Sequence, residues 1–391
     1  MAKVAYVVTH PITAQTLLAG QLAALQKRGH DVLVVSAPGP ELDACAAREG
    51  VRAAAVPMER EINPRADARS LTQLIRLLAH EKPDVVNAST PKAGLLGMIA
   101  ARATRVPVRV YLVRGLRLET ERGARRRILA STERVASTCA THVVCNSPSL
   151  EAAYRALRLA PPSRYAQLGV QSSNGVDTAR FDAAALAAED ALAVRRLAIE
   201  LGIPQDARVL GFVGRPVRDK GIADLLEALR TTPALRDAWC LVVGASFSGD
   251  TDDALVRELR ARPRTVVVAA VRDVRPYYAL MRVLAFPSHR EGMPNVVLEA
   301  AAMQVPAVGF EVTGVRDAIA AEQTGTLVPP RDTRAFGAAL AAYLDDAMRR
   351  VAHGRAARAR VVRDFSHERV CEAWADFYAG LAPNTLSARA R

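Results

Sequence analysis

Short runs of β-branched and aliphatic residues alternate with longer helical patterns along almost the whole chain. Six runs occupy the first half, at residues 3–8, 31–37, 53–58, 84–89, 108–113 and 142–147. Six more follow, at residues 208–214, 240–246, 265–270, 282–288, 306–311 and 325–330. Strands that alternate with helices, such as those expected at 16–28 and 71–80, are typical of a parallel sheet covered on both faces. The chain is therefore predicted to form two Rossmann-like domains.

The boundary between these domains is predicted in an alanine-rich segment. It would give a first domain at residues 1–185 and a second at 186–365. The segment 366–391 reads as a helix with three closely spaced aromatic residues, Trp374, Phe377 and Tyr378. Such a helix could cross back to the first domain or pack on the second, and the sequence leaves both arrangements open.

Composition narrows the classes of protein that this chain can belong to. Its 391 residues are 50% hydrophobic, which is enough for two cores. The net charge is +13, but aromatic residues make up only 5%, too few for the stacking platforms of single-strand nucleic-acid binders. No apolar run has membrane-spanning length, the N-terminus reads as a strand rather than a signal peptide, and the five cysteines lack metal-site spacing. We expect a cytoplasmic protein that does not bind nucleic acid.

The segment 288–299, SHREGMPNVVLE, places two glutamates eight residues apart. Glu291 lies among turn formers, and Glu299 lies in an apolar helical run after Pro294, which suits a first helical position. Amides at a helix start attract phosphate, and carboxylates accept hydrogen bonds from sugar hydroxyls. The segment therefore predicts a nucleotide-sugar site. The structural alternative is that both glutamates cap the helix and face water, since acidic residues are favoured in a first helical turn.

The loop after the first strand of the second domain, GRPVRDKG at 214–221, adds two cations. Gly214 would let the backbone approach a ligand, and the planar Arg215 and mobile Lys220 suit a diphosphate. Loops at the carboxyl ends of parallel strands line the ligand crevice in open α/β sheets. A solvated Arg and Lys on a surface turn is the alternative.

Together these motifs resemble the retaining glycosyltransferases of family 4, whose GT-B fold has two Rossmann-like domains with parallel sheets facing across a cleft. The resemblance rests on a GR…KG loop at 214–221 followed by EGMPNVVLEA at 291–300. Further similar stretches are TPKAGLLGM (90–98), RGLRLETERG (114–123), SSNGVD (172–177), VRDVRPYYA (271–279) and TGVRDAI (313–319). Together these stretches are similar to bacterial enzymes of exopolysaccharide, capsule or lipid-linked glycan synthesis.

The resemblance implies a role for each matching residue. Arg215 and Lys220 would neutralise the donor diphosphate, Glu291 would bind a hydroxyl of the donor sugar, and Glu299 would hold the ribose hydroxyls. Backbone groups would complete the donor site. Those of Val271 and Arg272 would contact the nucleobase of the donor, most simply uracil. The remaining backbone contacts would come from Gly214, Gly292, Met293, Pro294, Asn295 and Val296.

Two features depart from the family pattern. Many relatives carry a histidine where this chain has Arg114, so the role of that histidine does not transfer. The first loop, THPITAQT at 9–16, lacks a glycine pair found in several relatives. His10 and Thr13 could contact a ligand there, but His10 could equally cap a helix or pack.

The resemblance implies front-face transfer, because retaining enzymes of this fold lack an obvious nucleophile. The sequence likewise offers no Ser-His-Asp arrangement and no carboxylate pair that must flank an anomeric carbon. Charge on the departing diphosphate would be stabilised by Arg215, Lys220 and the amides at the helix start. The DTDD stretch at 250–253 contains a formal DxD match, but acidic residues are ordinary in such a turn. No metal and no cofactor are expected, and a UDP-sugar would act as co-substrate.

The acceptor is expected to bind the first domain and the cleft. The candidate residues are Lys92, Arg114, Arg117 and Glu119. A basic cluster at 122–127 could rest on anionic lipid beside a polyprenyl-linked acceptor, which would make the protein peripheral on the inner face of the cell membrane. A solvated helix and a small aminocyclitol-type acceptor remain the alternatives. So do a UDP-sugar epimerase or hydrolase on the same fold and a non-catalytic sugar-nucleotide-binding protein.

Overall fold

The computed structural model describes residues 1–59, 61, 63–169, 172–245 and 251–389, with side chains described as far as residue 381. The chain divides into two compact units. The first comprises residues 1–174 and 367–391, and the second comprises residues 175–366.

Each unit is built on one six-stranded sheet in which all pairs are parallel. The strands run β3-β2-β1-β4-β5-β6 in the first sheet and β12-β11-β10-β7-β8-β9 in the second. Both orders are of the Rossmann type, in which the chain reverses direction beside the first strand. The predicted α/β fold class is confirmed. The strands are β1 Lys3–Val7, β2 Asp31–Ser36, β3 Arg52–Ala55, β4 Val85–Ser89, β5 Val108–Val113, β6 His142–Cys145, β7 Val209–Val213, β8 Trp239–Ala245, β9 Thr265–Ala269, β10 Val283–Phe286, β11 Ala307–Phe310 and β12 Gly325–Val328.

The helices flank these sheets, and several in the first unit begin with proline, whose missing N–H costs nothing at that position. The α-helices are α1 Pro11–Leu17, α2 Gln21–Lys27, α3 Pro40–Glu49, α4 Pro64–Glu81, α5 Pro91–Ala103, α6 Gly123–Cys139, α7 Pro148–Ala156, α8 Ala183–Glu189, α9 Ala193–Glu200, α10 Ile222–Thr231, α11 Asp253–Ala261, α12 Arg275–Leu280, α13 Asn295–Ala302, α14 Val315–Ala318, α15 Thr333–Asp345, α16 Ala347–Asp364 and α17 His367–Arg389. Short 3-10 turns lie at Arg117–Glu119, Pro162–Arg164, Arg218–Lys220 and Pro233–Leu235.

The helix predicted at 16–28 is wrong in its bounds, because α1 ends at Leu17 and α2 begins only at Gln21. Gly20 separates them with a positive φ of 73°, a conformation that a side chain would strain. The ring of His367 lies where a Cβ at Gly20 would project, so a larger residue there would have to displace this ring as well.

Both faces of the central strands of each sheet are buried, as continuous apolar strands require. In β1, Val4 and Tyr6 pack into one cluster, and Ala5 and Val7 pack into another on the opposite face. The second sheet is likewise covered on two faces by separate clusters. This double burial fixes the strands, so the loops at their carboxyl ends start from rigid positions.

The C-terminal helix α17 packs on the first unit. Trp374 is fully buried, and its indole N–H donates to the carbonyl of Ser173 at 3.1 Å. Trp374 stacks on Tyr378, whose hydroxyl donates to that of Tyr6 at 2.9 Å and accepts from the Asn87 amide at 2.7 Å. The structure therefore decides between the two arrangements that the sequence left open.

The division between units lies at residues 174 and 175, before the boundary at 185 and 186 expected from the sequence. The Val176 N–H donates to the carbonyl of Phe365 at 2.9 Å, and Phe181 contacts the ring of Tyr278. These long-range contacts hold the segment that precedes α8 within the second unit.

Candidate functional site

The segment 288–299 connects β10 to α13 in the second unit. Glu291 lies in the loop and Glu299 lies within the helix. Pro294 caps the helix with φ −79° and ψ 102°, so it precedes the first helical residue rather than occupying that position. Met293 and Pro294 are buried and Val296 packs against the core, so these residues could reach a ligand only through their backbone.

Lys220 and Glu291 come together although they are far apart in the sequence. The Lys220 ammonium lies 2.5 Å from Oε1 of Glu291, and the Ser288 hydroxyl donates to the same oxygen at 2.8 Å. The Lys220 side chain is 31% exposed and that of Glu291 is 13% exposed, so solvent still reaches the pair. They meet because β7 and β10 are neighbours in a parallel sheet, whose carboxyl ends lie at one edge.

The turn that carries Lys220 touches the loop that carries Glu291. Gly221 has a positive φ of 72°, and the carbonyl of Pro287 occupies the position where its Cβ would project. Glycine is therefore needed for both the conformation and the close approach. The two motifs form one continuous surface of the second unit.

Glu299 has a different environment. The Tyr278 hydroxyl donates to Oε2 of Glu299 at 3.0 Å. Burial raises the pKa of Glu299 to about 7, although the hydrogen bond from Tyr278 and the positive charge of Arg180 act to lower it. Tyr278 was not found by sequence reasoning, although it lies in the VRDVRPYYA stretch that carried the resemblance.

The other predicted donor residues lie at carboxyl ends of strands in the same sheet. Gly214 follows β7 and donates its N–H to the carbonyl of Val243 at 2.9 Å, and Arg215 is exposed beside it. Val271 and Arg272 follow β9, with Val271 packed against the core and Arg272 exposed. Gly292 is buried and Asn295 is half-buried.

Two predicted residues of the first unit have structural partners. His10 caps α1, because its Nδ1 accepts from the N–H of Ile12 at 3.2 Å. Thr13 is half-buried and donates its N–H to the carbonyl of His10 at 2.9 Å. This contact agrees with the expectation that His10 could cap a helix.

Lys92 and Glu119 lie elsewhere in the first unit. The Lys92 ammonium lies 2.6 Å from Oδ1 of Asp67, so a carboxylate already neutralises the cation considered for an acceptor phosphate. Glu119 is exposed at the end of the 3-10 turn after β5.

Arg114, at the carboxyl end of β5, is a cation whose guanidinium is largely enclosed. Its Nη1 donates to Oγ of Ser173 at 2.9 Å and to Oδ1 of Asn174 at 2.7 Å. Within the described part of the chain, its Nε and Nη2 are buried without a hydrogen-bond partner. Burial lowers the pKa of Arg114 to about 10. A charge held mainly by neutral oxygens is costly, so an anionic group would find a receptive partner here.

The acidic stretch at 250–253 has a structural role where it is described. Asp252 caps α11, since its Oδ1 accepts from the N–H of Leu255 at 3.3 Å, and Oδ2 accepts from Arg218 at 3.2 Å. Asp250 lies outside the described residues. Among those described, no three His, Cys, Asp or Glu side chains are grouped so that they could hold a metal ion.

The fold is shared with solved structures of other proteins. The crystal structure of Alr3699/HepE from Anabaena in complex with UDP-glucose matches with a TM-score of 0.80 at 18% identity, covering 97% of this chain and 100% of that chain. Sucrose-phosphate synthase from Thermosynechococcus elongatus matches with a TM-score of 0.79 at 20% identity, covering 98% of this chain and 100% of that one. Two Rossmann-type units of this kind define a protein of the GT-B fold.

Family comparisons cover both units. Residues 13–170 match the family described as glycosyl transferase 4-like domain, and residues 207–346 match glycosyl transferases group 1. The chain is 34% identical over 364 residues to the capsular polysaccharide biosynthesis glycosyltransferase CapM of Staphylococcus aureus, covering 93% of each chain. The chain therefore belongs to the family-4 glycosyltransferases.

A second relative is named for a lipid-linked substrate. The UDP-Gal:alpha-D-GlcNAc-diphosphoundecaprenol alpha-1,3-galactosyltransferase of Escherichia coli is 26% identical over 346 residues, covering 86% of each chain. In the described part of this chain, none of the helices combines the length and apolar character that a membrane crossing demands.

Proposed function

We propose that this glycosyltransferase moves a hexose or N-acetylhexosamine from a UDP-sugar to a hydroxyl of a glycan, a lipid-linked saccharide or a secondary metabolite, with retention of configuration. The main support for the proposal is the contact between Lys220 and Glu291, in the unit that also contains Glu299. A cation for phosphate and carboxylates for hydroxyls are the groups that a nucleotide-sugar needs. The UDP-glucose complex on the same fold and the UDP-Gal donor named for the Escherichia coli relative support UDP.

Each donor contact has a distinct task in this proposal. Arg215 and Lys220 neutralise the diphosphate, and Glu291 accepts a hydrogen bond from a sugar hydroxyl. Glu299 binds the ribose hydroxyls. The hydrogen bond from Tyr278 to Oε2 orients the Glu299 carboxylate for this contact. The backbone of Val271 and Arg272 meets the base.

The chemistry proposed is front-face transfer. The bond between the anomeric carbon and the diphosphate oxygen loosens, and its electron pair leaves with UDP. The acceptor hydroxyl forms the new bond from the same face, and its proton goes to the departing phosphate. Arg215 and Lys220 stabilise the charge that develops there, which is why we propose that no metal is required.

The donor site is tested by titrating the purified protein with UDP, GDP, ADP and dTDP in a calorimeter. We expect selective binding of UDP that is lost in E299A, and turnover of one UDP-sugar that persists in EDTA. Proton NMR of the product should show the anomeric configuration of the donor. Failure to bind any nucleotide would refute the proposal, and conversion of a UDP-sugar at a rate independent of acceptor would favour an epimerase or hydrolase.

The acceptor that we propose is lipid-linked, because α6 presents a cationic and apolar surface next to the 3-10 turn that carries Glu119. Ile128 is 55% exposed and Val135 is 45% exposed. They lie two turns apart on the same face of α6. Exposed arginines surround them, and such helices rest on anionic lipid surfaces. The arginines are Arg122, Arg125, Arg126, Arg127 and Arg134.

Flotation with lipid vesicles tests this surface. We expect binding to vesicles that contain phosphatidylglycerol and not to pure phosphatidylcholine, with loss of binding in I128S/V135S. The matched control is M348S/V362S on α16, whose replaced side chains are 84% and 45% exposed. Absence of binding by the wild-type protein would instead favour a small soluble acceptor of the aminocyclitol type.

A further inference from the structure

Three polar side chains next to the Lys220–Glu291 pair have no part in the proposed donor contacts. They are Asp219, Asp224 and His289, here called the loop anchor. His289 Nε2 lies 2.8 Å from Oδ2 of Asp224, and the two side chains are only 18% and 14% exposed. The His289 ring also stacks on Phe310, with centroids 6.2 Å apart and planes at 27°. The ring is therefore held both at its face and at its edge.

The loop anchor links the two motifs through the backbone as well. The N–H of His289 donates to the carbonyl of Asp219 at 3.0 Å, and Arg290 Nη2 donates to Oδ2 of Asp219 at 2.9 Å. Asp219 directly precedes Lys220, and Arg290 directly precedes Glu291. The hydrogen bonds thus set the separation of the two backbones from which the Lys220 and Glu291 side chains project.

Asp224 gives this linkage a rigid base. It lies in the first turn of α10, where a carboxylate is favoured by the helix dipole. α10 packs against the sheet through buried residues such as Ile222 and Leu225, so Asp224 is attached to a packed helix rather than to the loop. His289 therefore transfers the fixed position of the helix to the loop that contains Glu291.

We propose that His289 is a positioning residue that, through Asp224 and Asp219, holds Glu291 and the Lys220 turn in register for the donor. This rests on the proposed function of the Lys220–Glu291 pair. The ammonium of Lys220 is carried on a flexible stem, so its placement depends on the backbone and on Glu291. Misplacing such groups by about 1 Å can cost about 100-fold in rate, whereas ground-state binding of the nucleotide depends on more distributed contacts.

The test compares H289A, H289Q and D224A with wild type, using UDP release from the UDP-sugar that the wild-type protein accepts. We expect H289A and D224A to lower kcat by about tenfold or more with little change in KM, and the double variant to be no worse than either alone. H289Q, whose amide can donate to Asp224, should recover part of the loss. The matched control is H353A, which removes another half-buried histidine of this unit that bonds Tyr343 Oη at 2.7 Å. It should leave kcat unchanged.

Hydrogen exchange gives a readout that does not depend on turnover. In H289A, less so in H289Q and not in H353A, exchange should become faster in peptides that cover residues 217–221 and 287–292. Equal kcat in H289A and H353A, or unchanged exchange in those peptides, would overturn the inference while leaving the proposed function intact. If the wild-type protein turns over no UDP-sugar, the proposed function fails, and the role assigned to His289 fails with it even where exchange changes.

Discussion

Replacing Glu291 by glutamine should strengthen the binding of UDP and slow sugar transfer, two effects of opposite sign. The Lys220 ammonium is held by Glu291 at 2.5 Å. In the donor site that we propose, a diphosphate would have to share or displace this contact. E291Q keeps the size of the side chain but removes the charge that competes with phosphate.

The magnitude follows from the exposure of the pair. Its side chains are 31% and 13% exposed, so it lies nearer to a surface ion pair than to a buried one. Such pairs contribute about 0.2–1 kcal/mol, and releasing Lys220 should therefore lower the Kd of UDP by up to about fivefold. Turnover should fall by about 100-fold, because Glu291 no longer holds the donor sugar as a charged acceptor.

Isothermal titration with UDP and steady-state assays with the UDP-sugar measure the two effects separately. E322Q is the matched control, since Glu322 pairs with Arg349 at 2.7 Å in the same unit and lies outside the proposed site. It should change neither quantity. An unchanged or weaker affinity for UDP in E291Q would show that Glu291 does not compete for Lys220, and unchanged turnover would remove Glu291 from the donor site.

Three further substitutions test other parts of the structure. Burial raises the pKa of Glu299 to about 7, so between about pH 4.5 and 7 the folded state binds more protons than the unfolded state. The free energy of unfolding should therefore fall by up to about 3 kcal/mol as the pH rises through that range. Urea unfolding of E299Q should lack this pH dependence. G221A should lower both the melting temperature and kcat, because Gly221 has φ 72° and its Cβ would meet the Pro287 carbonyl. G202A is the control for backbone strain alone, since Gly202 has φ 65° but no atom lies where its Cβ would project. Equal losses in the two variants would contradict the role assigned to the Pro287 contact. W374A should cost about 3–5 kcal/mol in urea unfolding, because Trp374 is fully buried, whereas a loss below about 1 kcal/mol would mean that α17 contributes little to the first unit.

The predicted strands and the motifs at their ends were accessible from the sequence. Each of the twelve strands overlaps an apolar run that was recognised in the sequence, and the bounds differ by up to three residues, at the end of β3. Continuous apolar runs are the local signature of strands buried on both faces. The positions of Glu291 in a loop and Glu299 in a helix followed from turn formers and from the apolar run after Pro294.

Partners of the site residues were not accessible in this way. Nothing local indicates that Asp67 neutralises Lys92 or that Tyr278 bonds Glu299. The sequence also gave no indication of a role for His289, because its contact with Asp224 is visible only in the structure.

The sequence by itself determined the alternation of strands and helices, the parallel sheets and the family, since these depend on periodicity and on motifs of a few residues. Only the tertiary structure decided that α17 returns to the first unit and that Lys220 meets Glu291. It also decided that Arg114 is enclosed by neutral oxygens. Those outcomes depend on contacts between residues far apart in the chain, and such contacts are fixed by how whole helices and strands pack rather than by local preference.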